Sequence, residues 1–263
     1  MNARYDELTY ISDHVPFYRL RGKRIVMTGA TGFIGGWLKD ALEHNGITPM
    51  CVGRGQAIAY CNVDYIIHCA PIDLRSMFAN AHVDKVLFLS SGAVYDAQPS
   101  EYGQLKIDSE KLLRPEDVSV RIFTTYGPRM RDHFAIARFM RNAIEGKPLT
   151  VMGRGSPWRS YMYIADLCVW LLKLMLDGHG AYDVGSDNAI TIRDLAKEVA
   201  SHFLPRPVIE YDGKEFIDPR PNYLPDTVRA IQLGCYSYYG RWEGVERTIR
   251  WMRDNRMGGG NNA

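Results

Sequence analysis

The chain of 263 residues is 46% hydrophobic and 24% charged, which provides for a full core and excludes a disordered or fibrous chain. Its net charge of +2 is small and evenly spread, which argues against a nucleic-acid partner. We therefore expect a globular protein whose partner is a small molecule.

Residues 1–20 carry acidic side chains and no apolar core, which is not the pattern of a signal peptide. The most apolar later stretch, Tyr163 to Leu176, contains Asp166 and Lys173 and is too short to span a bilayer. The five cysteines show neither Cys-x-x-Cys spacing nor the framework of a small secreted domain, so reduced thiols are expected. These features predict a cytoplasmic protein with no membrane contact and no metal site.

From residue 24 to 128, short apolar runs alternate with segments of helical pattern. This alternation predicts a parallel sheet with helices on both faces and ligands at the carboxyl ends of the strands. The predicted strands are Arg24–Met27, Pro49–Val52, Tyr65–Ala70, Lys85–Ser90, Val118–Thr124 and Gly180–Gly185. The predicted helices are Gly35–Asn45, Tyr102–Leu112, Phe134–Glu145, Ile164–Leu176 and Ile192–Phe203.

Residues Thr28 to Gly36 read Thr-Gly-Ala-Thr-Gly-Phe-Ile-Gly-Gly, directly after the first predicted strand. Gly29, Gly32 and Gly35 allow a tight turn, close approach of backbone to a pyrophosphate, and tight packing of helix on strand. The following helix would direct its free N–H groups and the positive end of its dipole at that pyrophosphate. The segment predicts a dinucleotide site.

The predicted fold class is therefore α/β, a Rossmann-type doubly wound parallel sheet with a smaller C-terminal substrate-binding lobe. We expect residues 1–148 to form the dinucleotide-binding domain, with residues 1–20 as an N-terminal extension. Residues 149–263 would form the smaller lobe, from which residues 180–186 return to the sheet as a strand.

Tyr102 and Lys106 are four residues apart on a predicted helix, so both side chains can reach the same small volume. A nearby ammonium favours ionised tyrosine, so we expect Lys106, together with the positive nicotinamide ring in a dry site, to lower the pKa of Tyr102 from about 10 and make the phenol a usable acid and base. Upstream, an apolar strand ends in Ser90 and Ser91. A serine hydroxyl there can hydrogen-bond the substrate oxygen that Tyr102 deprotonates.

In this order the motifs resemble the extended short-chain dehydrogenase/reductase superfamily, in its NAD(P)-dependent nucleotide-sugar epimerase/dehydratase branch. The resemblance covers about residues 22 to 253. It rests on TGATGFIGG (28–36), VDYIIHCA (63–70), LSSGAVY (89–95), YGQLK (102–106), RIFTTYGPRM (121–130), EGKPLTVMGRGSPWRSYMYIADL (145–167), YDVGS (182–186), PRPNYLPDT (219–227) and ERTIRW (246–251).

The resemblance implies a role for each matching residue. Ser91 would be the catalytic hydroxyl, Tyr102 the acid and base, and Lys106 the group that tunes the tyrosine and holds the nicotinamide ribose. The implied substrate contacts are Ser91, Thr124, Arg159 and Arg220, the two arginines clamping a diphosphate. The implied cofactor contacts are Gly29, Thr31, Gly32, Phe33, Ile34, Gly35, Arg54, Cys69, Ala70, Ser90, Tyr102, Lys106 and Tyr126.

Two departures from the family bear on the reaction and the cofactor. Dehydratases and decarboxylases of this branch usually carry an acidic residue just after the catalytic hydroxyl, where this chain has Gly92 and Ala93. Neither can exchange a proton. NAD-using members usually carry an aspartate where this chain has Gly53 and Arg54, which modestly favours NADP over NAD.

The chain is also short around residues 55–63, 71–84 and 96–101, which removes part of the expected adenine wall and much of a helix used for dimerisation. A homodimer is left open. We expect an epimerase that acts on a nucleotide-diphosphate sugar through a transient keto-sugar by hydride transfer. The alternatives are a 4-keto reductase, a dehydratase or decarboxylase, which the stretch RIFTTYGPRM keeps open, and a non-catalytic protein that binds NAD(P) or a nucleotide sugar.

Overall fold

A computed structural model describes residues 3–53, 56, 62–71, 82–131, 134–213, 218, 220 and 222–257. The chain divides into two compact units. The first unit runs to Phe123 and takes in Ala165–Val184 and Pro225–Tyr236, and the second consists of Thr124–Ile164, Gly185–Leu224 and the chain from Ser237 onward. The domain boundary between residues 148 and 149 stays a prediction.

A parallel sheet of six strands forms the centre of the first unit, which confirms the predicted α/β fold class. Its strands, numbered in chain order with those of the second unit, are β1 (Ile25–Thr28), β2 (Met50–Val52), β3 (Asn62–His68), β4 (His82–Ser91), β5 (Val118–Ile122) and β10 (Gly180–Val184). They lie in the order β2-β1-β3-β4-β5-β10, and every neighbouring pair is parallel. All four residues of β1 are buried, as expected for a strand inside such a sheet.

Within the residues that the structure describes, five helices belong to the first unit wholly or almost wholly. They are α1 (Ala3–His14), α2 (Phe33–His44), α3 (Glu101–Glu110), α5 (Ile164–Asp177) and α7 (Val228–Gln232). Of these, α5 corresponds to the predicted apolar helix, and among the described residues no helix has both the length and the apolar character needed to cross a bilayer.

Helix α1 lies in residues 1–20, where the sequence motifs indicated no element. Its buried residues Leu8 and Ile11, with Val15 just beyond its end, are spaced by three and four positions, so they share one face. The helix contacts α2, where Asn45 Nδ2 donates to Ser12 Oγ over 2.9 Å. The apolar spacing was the signal that could have predicted it.

The second unit combines short strands with three helices. Its strands are β6 (Thr125–Tyr126), β7 (Leu149–Val151), β8 (Trp158–Ser160), β9 (Met162–Tyr163), β11 (Ala189–Thr191), β12 (Ile209–Tyr211) and β13 (Asn222–Tyr223). Its helices are α4 (Ala135–Ile144), α6 (Ile192–Ser201) and α8 (Arg241–Met257). Helices α4 and α6 pack on one another and bury Phe139, Met140, Leu195 and Val199.

Candidate functional site

The order of the strands reverses at β1, because β2 lies on one side of it and β3 on the other. In open parallel sheets, ligands bind in the crevice at the carboxyl ends of the strands beside such a reversal. Thr28 ends β1 and His68 ends β3, and Thr28 Oγ1 hydrogen-bonds His68 Nδ1 over 3.0 Å. The same oxygen accepts from the Ala70 N–H over 3.3 Å, which ties the two strand ends together.

The turn after β1 leaves no room for a side chain at its glycines. Gly29 has a φ of +67°, and a Cβ there would lie 2.8 Å from the Ala70 nitrogen and from the Cys69 carbonyl carbon. A Cβ on Gly32 would lie 3.1 Å from the Gly29 oxygen, and one on Gly35 would collide with the Gly29 carbonyl. The three glycines therefore form a cradle that any side chain would fill.

Helix α2 begins at Phe33 with Gly32 as its N-cap and no side-chain cap. Its first N–H groups have no partner within the helix, and they carry the positive end of the dipole. Thr31 is exposed, and Phe33 and Ile34 are partly exposed. The cradle and the uncapped helix end fit the pyrophosphate of a dinucleotide.

Ser91 and Tyr102 come together at the carboxyl end of β4, as the sequence predicts. The Tyr102 phenol lies within hydrogen-bonding reach of the Ser91 hydroxyl. Gly103 allows this approach, because a Cβ there would lie 3.1 Å from the Ala93 oxygen. Helix α3 starts just before Tyr102, where Ser100 Oγ accepts from the Gly103 N–H over 3.2 Å.

Lys106 lies one turn along α3 and is only 3% exposed. Its Nζ donates to the Leu89 carbonyl oxygen over 2.6 Å and lies 4.7 Å from the centre of the Phe88 ring and 5.6 Å from that of Tyr102. Burial disfavours the charged form and lowers the pKa of Lys106 to about 8, against the opposite influence of Cys69 and Glu110. The ammonium is thus a buried charge beside the Tyr102 ring.

The expected lowering of the Tyr102 pKa is corrected by the structure. Burial raises the pKa of Tyr102 above its ordinary value, and the hydrogen bond with Ser91 offsets this only in part. The Lys106 Nζ donates to the Leu89 carbonyl oxygen rather than to the phenol. Tyr102 is therefore a protonated phenol at neutral pH, placed as a hydrogen-bond donor.

The other predicted site residues of the first unit lie near the carboxyl ends of β3 and β4. Ser90 is 3% exposed, and Cys69 and Ala70 adjoin the Gly29 turn. Burial raises the pKa of the Cys69 thiol to about 12, so it is not a thiolate nucleophile. Gly92 and Ala93 are buried in a 3-10 turn that follows Ser91 directly.

Arg159 and Arg220 come together within the second unit. Arg159 of β8 lies opposite Tyr223 in the neighbouring parallel strand β13. Its Nη1 donates to the Arg220 carbonyl oxygen over 2.8 Å. The Arg220 guanidinium lies 4.6 Å from the centre of the Tyr223 ring. Arg159 also pairs with the Asp218 carboxylate. Two guanidinium groups thus share one small region.

Thr124 and Tyr126 also lie in the second unit, and both are buried. The Thr124 carbonyl oxygen accepts from the Met162 N–H over 3.0 Å. Tyr126 packs against Tyr163, and its hydroxyl donates to the Arg241 carbonyl oxygen over 3.0 Å. Their predicted contacts with ligands stay predictions. The predicted role of Arg54 falls outside the described residues.

Two charged residues of the site region escaped the sequence analysis. Glu110, one turn beyond Lys106, forms an ion pair with Arg121 of β5. Glu110 follows Lys106 by four positions, and Arg121 alternates along β5 with Ser119, so both signals were present in the sequence. In the described part of the chain, no three or more His, Cys, Asp or Glu side chains are arranged to hold a metal ion.

Comparison with known proteins finds a family model that matches the part of the chain containing this site. The model of the NAD dependent epimerase/dehydratase family matches residues 65–185, which contain Ser91, Tyr102 and Lys106. This segment of the chain is similar to that family. The family match begins within β3 and ends just after β10, so it covers the carboxyl ends of four of the six sheet strands.

Individual proteins are similar to longer parts of this chain. UDP-glucuronic acid decarboxylase 4 of Arabidopsis thaliana is 33% identical over 142 residues, which are 53% of this chain and 32% of that protein. An epimerase of Methanothermobacter thermautotrophicus shares the fold with a TM-score of 0.76 and 20% identity, over 95% of this chain and 97% of that one. A dTDP-glucose 4,6-dehydratase of Bacillus anthracis, solved with NAD, has a TM-score of 0.71 and 17% identity, over 90% and 98% of the two chains. The chain spans about a third of the length of the curated relatives it matches.

Proposed function

We propose that this protein is an NAD(P)-dependent epimerase that acts on a nucleotide-diphosphate sugar through a transient keto-sugar. The observation that carries the proposal is the placement of Tyr102 within reach of Ser91 and one helical turn from the buried Lys106. All three lie at the carboxyl edge of a sheet whose first turn fits a pyrophosphate.

In this reaction, the side chains of the protein have to supply little beyond proton transfer. A bound nicotinamide cofactor would supply the hydride acceptor and donor. Ser91 would orient the sugar hydroxyl, and Tyr102 as a phenolate would take its proton as that carbon is oxidised. Because Tyr102 rests protonated, its ionisation is the step that the Lys106 ammonium has to favour once both groups are enclosed. When the ketone has turned and is reduced from its opposite face, Tyr102 would give the proton back to the oxygen.

The residues after Ser91 favour epimerisation over dehydration. Elimination of water needs an acid and a base at the neighbouring carbons, and Gly92 and Ala93 offer neither. Arg159 and Arg220 would bind the diphosphate, because guanidinium groups pair with phosphate through two parallel hydrogen bonds. We propose NAD as the cofactor, with NADP as the alternative that Gly53 and Arg54 favour.

Product analysis tests the proposal. The purified protein is incubated with UDP-, GDP-, CDP- and dTDP-sugars, in the presence of NAD and, separately, of NADP. The products are separated, and their masses are measured by mass spectrometry. Epimers of unchanged mass are expected without net consumption of cofactor. Stoichiometric oxidation of reduced cofactor would indicate a reductase. The absence of any product in the whole panel would contradict the proposal that the protein is an enzyme.

Decarboxylation is the second candidate, because the Arabidopsis relative named for that reaction is 33% identical. Oxidation of the carbon beside the one that carries the carboxylate group yields a β-keto acid, which can lose carbon dioxide without an acidic residue at position 92 or 93. Incubation with a UDP-uronic acid distinguishes the two reactions. A product lighter by carbon dioxide would replace the epimerase proposal, whereas an epimer of equal mass would support it.

A further inference from the structure

The face of α3 that lies on the sheet is polar. Its fully buried positions are Gly103, Lys106 and Ser109, none of which supplies a large apolar side chain. Most helices of globular proteins dock through an apolar stripe, as α4 does with Phe139 and Met140. Other contacts must therefore hold α3, and with it Tyr102, in place.

Glu110 and Arg121 make the strongest of these contacts. Arg121 Nε donates to Glu110 Oε1 over 3.0 Å, and its Nη2 donates to Oε2 over 2.7 Å. Ser119, on the same face of β5, donates to Oε1 over 2.9 Å. A bidentate pair of this kind fixes both distance and orientation between a helix and a strand.

Arg121 is in turn held from its other side. Its Nη1 donates to the Tyr95 hydroxyl over 2.7 Å, and that hydroxyl donates to Asp183 Oδ1 over 2.7 Å. Tyr95 belongs to the 3-10 turn that follows Ser91, and Asp183 to β10. The ion pair thus joins α3 to three neighbouring elements of the same unit.

Glu110 also lies one helical turn beyond the buried Lys106 ammonium. The groups that contact or influence the Lys106 ammonium include the Cys69 thiol, the Tyr102 and Phe88 rings and the Leu89 carbonyl, as well as Glu110. Of these groups, Glu110 alone carries a negative charge at neutral pH. Burial alone would raise the pKa of Glu110, but its hydrogen bonds from Arg121 and Ser119 help to outweigh burial and hold it below its ordinary value.

We propose that Glu110, clamped by Arg121, is the positioning residue of this site, which docks α3 on the sheet and keeps the Lys106 ammonium charged beside Tyr102. The proposal rests on the proposed function only in taking Lys106 and Tyr102 as the reacting pair. Glu110 itself contacts neither substrate nor cofactor and acts through Lys106.

NMR titration of the full chain labelled with [13Cε]lysine tests this directly and requires no substrate. The Lys106 signal is identified by its loss in Lys106→Met. We expect it to titrate near pH 8 in the wild type, at a lower pH in Glu110→Gln, and unchanged in Asp108→Asn. Asp108 is the matched control because it is an exposed carboxylate on the same helix, paired with Lys111. An unchanged Lys106 titration in Glu110→Gln overturns the proposal.

Because Glu110→Gln leaves Arg121 without its carboxylate, the double variant Glu110→Gln/Arg121→Gln is measured as well, since it contains no unpaired charge. Its Lys106 titration is also expected below that of the wild type. Backbone amides of residues 101–110 should exchange hydrogen about tenfold faster in both variants and at the wild-type rate in Asp108→Asn. Wild-type exchange in both variants would overturn the docking role.

The outcome is separable from the proposed function. If the Lys106 titration moves as expected while no nucleotide sugar is converted, the positioning role stands and the epimerase assignment fails. If products are formed, Glu110→Gln should lower kcat and move the alkaline limb of its pH profile to lower pH, with KM little changed.

Discussion

The Lys106 ammonium donates a hydrogen bond of 2.6 Å to the Leu89 carbonyl oxygen and is shielded from solvent almost completely. A charge in such a position destabilises the fold unless it is neutralised. Because burial lowers the pKa of Lys106 to about 8 from an unfolded value near 10.4, the unfolded chain binds more protons between these two pH values. The cost of the buried charge is therefore present below pH 8 and is relieved as the pH rises.

This predicts a pH-dependent effect of Lys106→Met. The free energy of unfolding of the wild type, relative to that of the variant, should increase by about 2 to 3 kcal/mol from pH 7 to pH 10. Urea denaturation at both pH values measures it. Lys111→Met is the control, since Lys111 is exposed at the C-cap of the same helix, and the difference in unfolding free energy between this variant and the wild type should not change between the two pH values. A pH-independent difference for Lys106→Met would contradict the burial argument.

Tyr102→Phe should abolish turnover and leave the fold intact. The phenol is the proposed acid and base, so we expect kcat to fall by about 100- to 10,000-fold. Because Tyr102 is 46% exposed, the free energy of unfolding of the variant should differ from that of the wild type by less than about 0.5 kcal/mol. Binding of NAD, followed by fluorescence, should be retained. Tyr18→Phe, at a 71% exposed position, serves as control and should keep full activity. Full activity of Tyr102→Phe would support the non-catalytic alternative.

Gly29→Ala should destabilise the fold and weaken cofactor binding. A methyl group there meets the backbone of Cys69 and Ala70 at 2.8 Å in addition to the strain of a φ of +67°. Gly46→Ala is the matched control, because its φ is +75° and nothing lies within 4 Å. We expect Gly29→Ala to cost about 1 to 3 kcal/mol more than Gly46→Ala in urea denaturation. Equal costs would mean that the turn has room for a side chain.

Arg159→Met should raise KM for the nucleotide sugar by about 10- to 100-fold while kcat changes little, because the guanidinium is proposed to bind the diphosphate rather than the reacting carbon. Steady-state kinetics with varied sugar nucleotide measures this. Arg206→Met, in the same unit and exposed, is the control and should leave KM unchanged. A fall in kcat without a change in KM would contradict the clamp.

Much of the first unit could be predicted from local patterns. Apolar runs such as Ile25–Thr28 are long enough to fix a buried strand, and the helices after them follow from their periodicity. The helix within residues 1–20 was not predicted, because its apolar spacing is short and the packing of Leu8 and Ile11 on neighbouring segments has to stabilise it. The ion pair of Glu110 with Arg121 was missed for a related reason, since the two residues are eleven positions apart and meet only when α3 lies on β5.

The sequence by itself determined the glycine turn and the common face of Tyr102 and Lys106, because φ preferences and helical spacing act between residues close in the chain. Only the tertiary structure decided the protonation of these groups. The pKa of Tyr102 is raised rather than lowered, and that of Lys106 falls to about 8, because desolvation depends on which distant segments cover a side chain. Charge at this site is thus a property of packing between segments far apart in sequence.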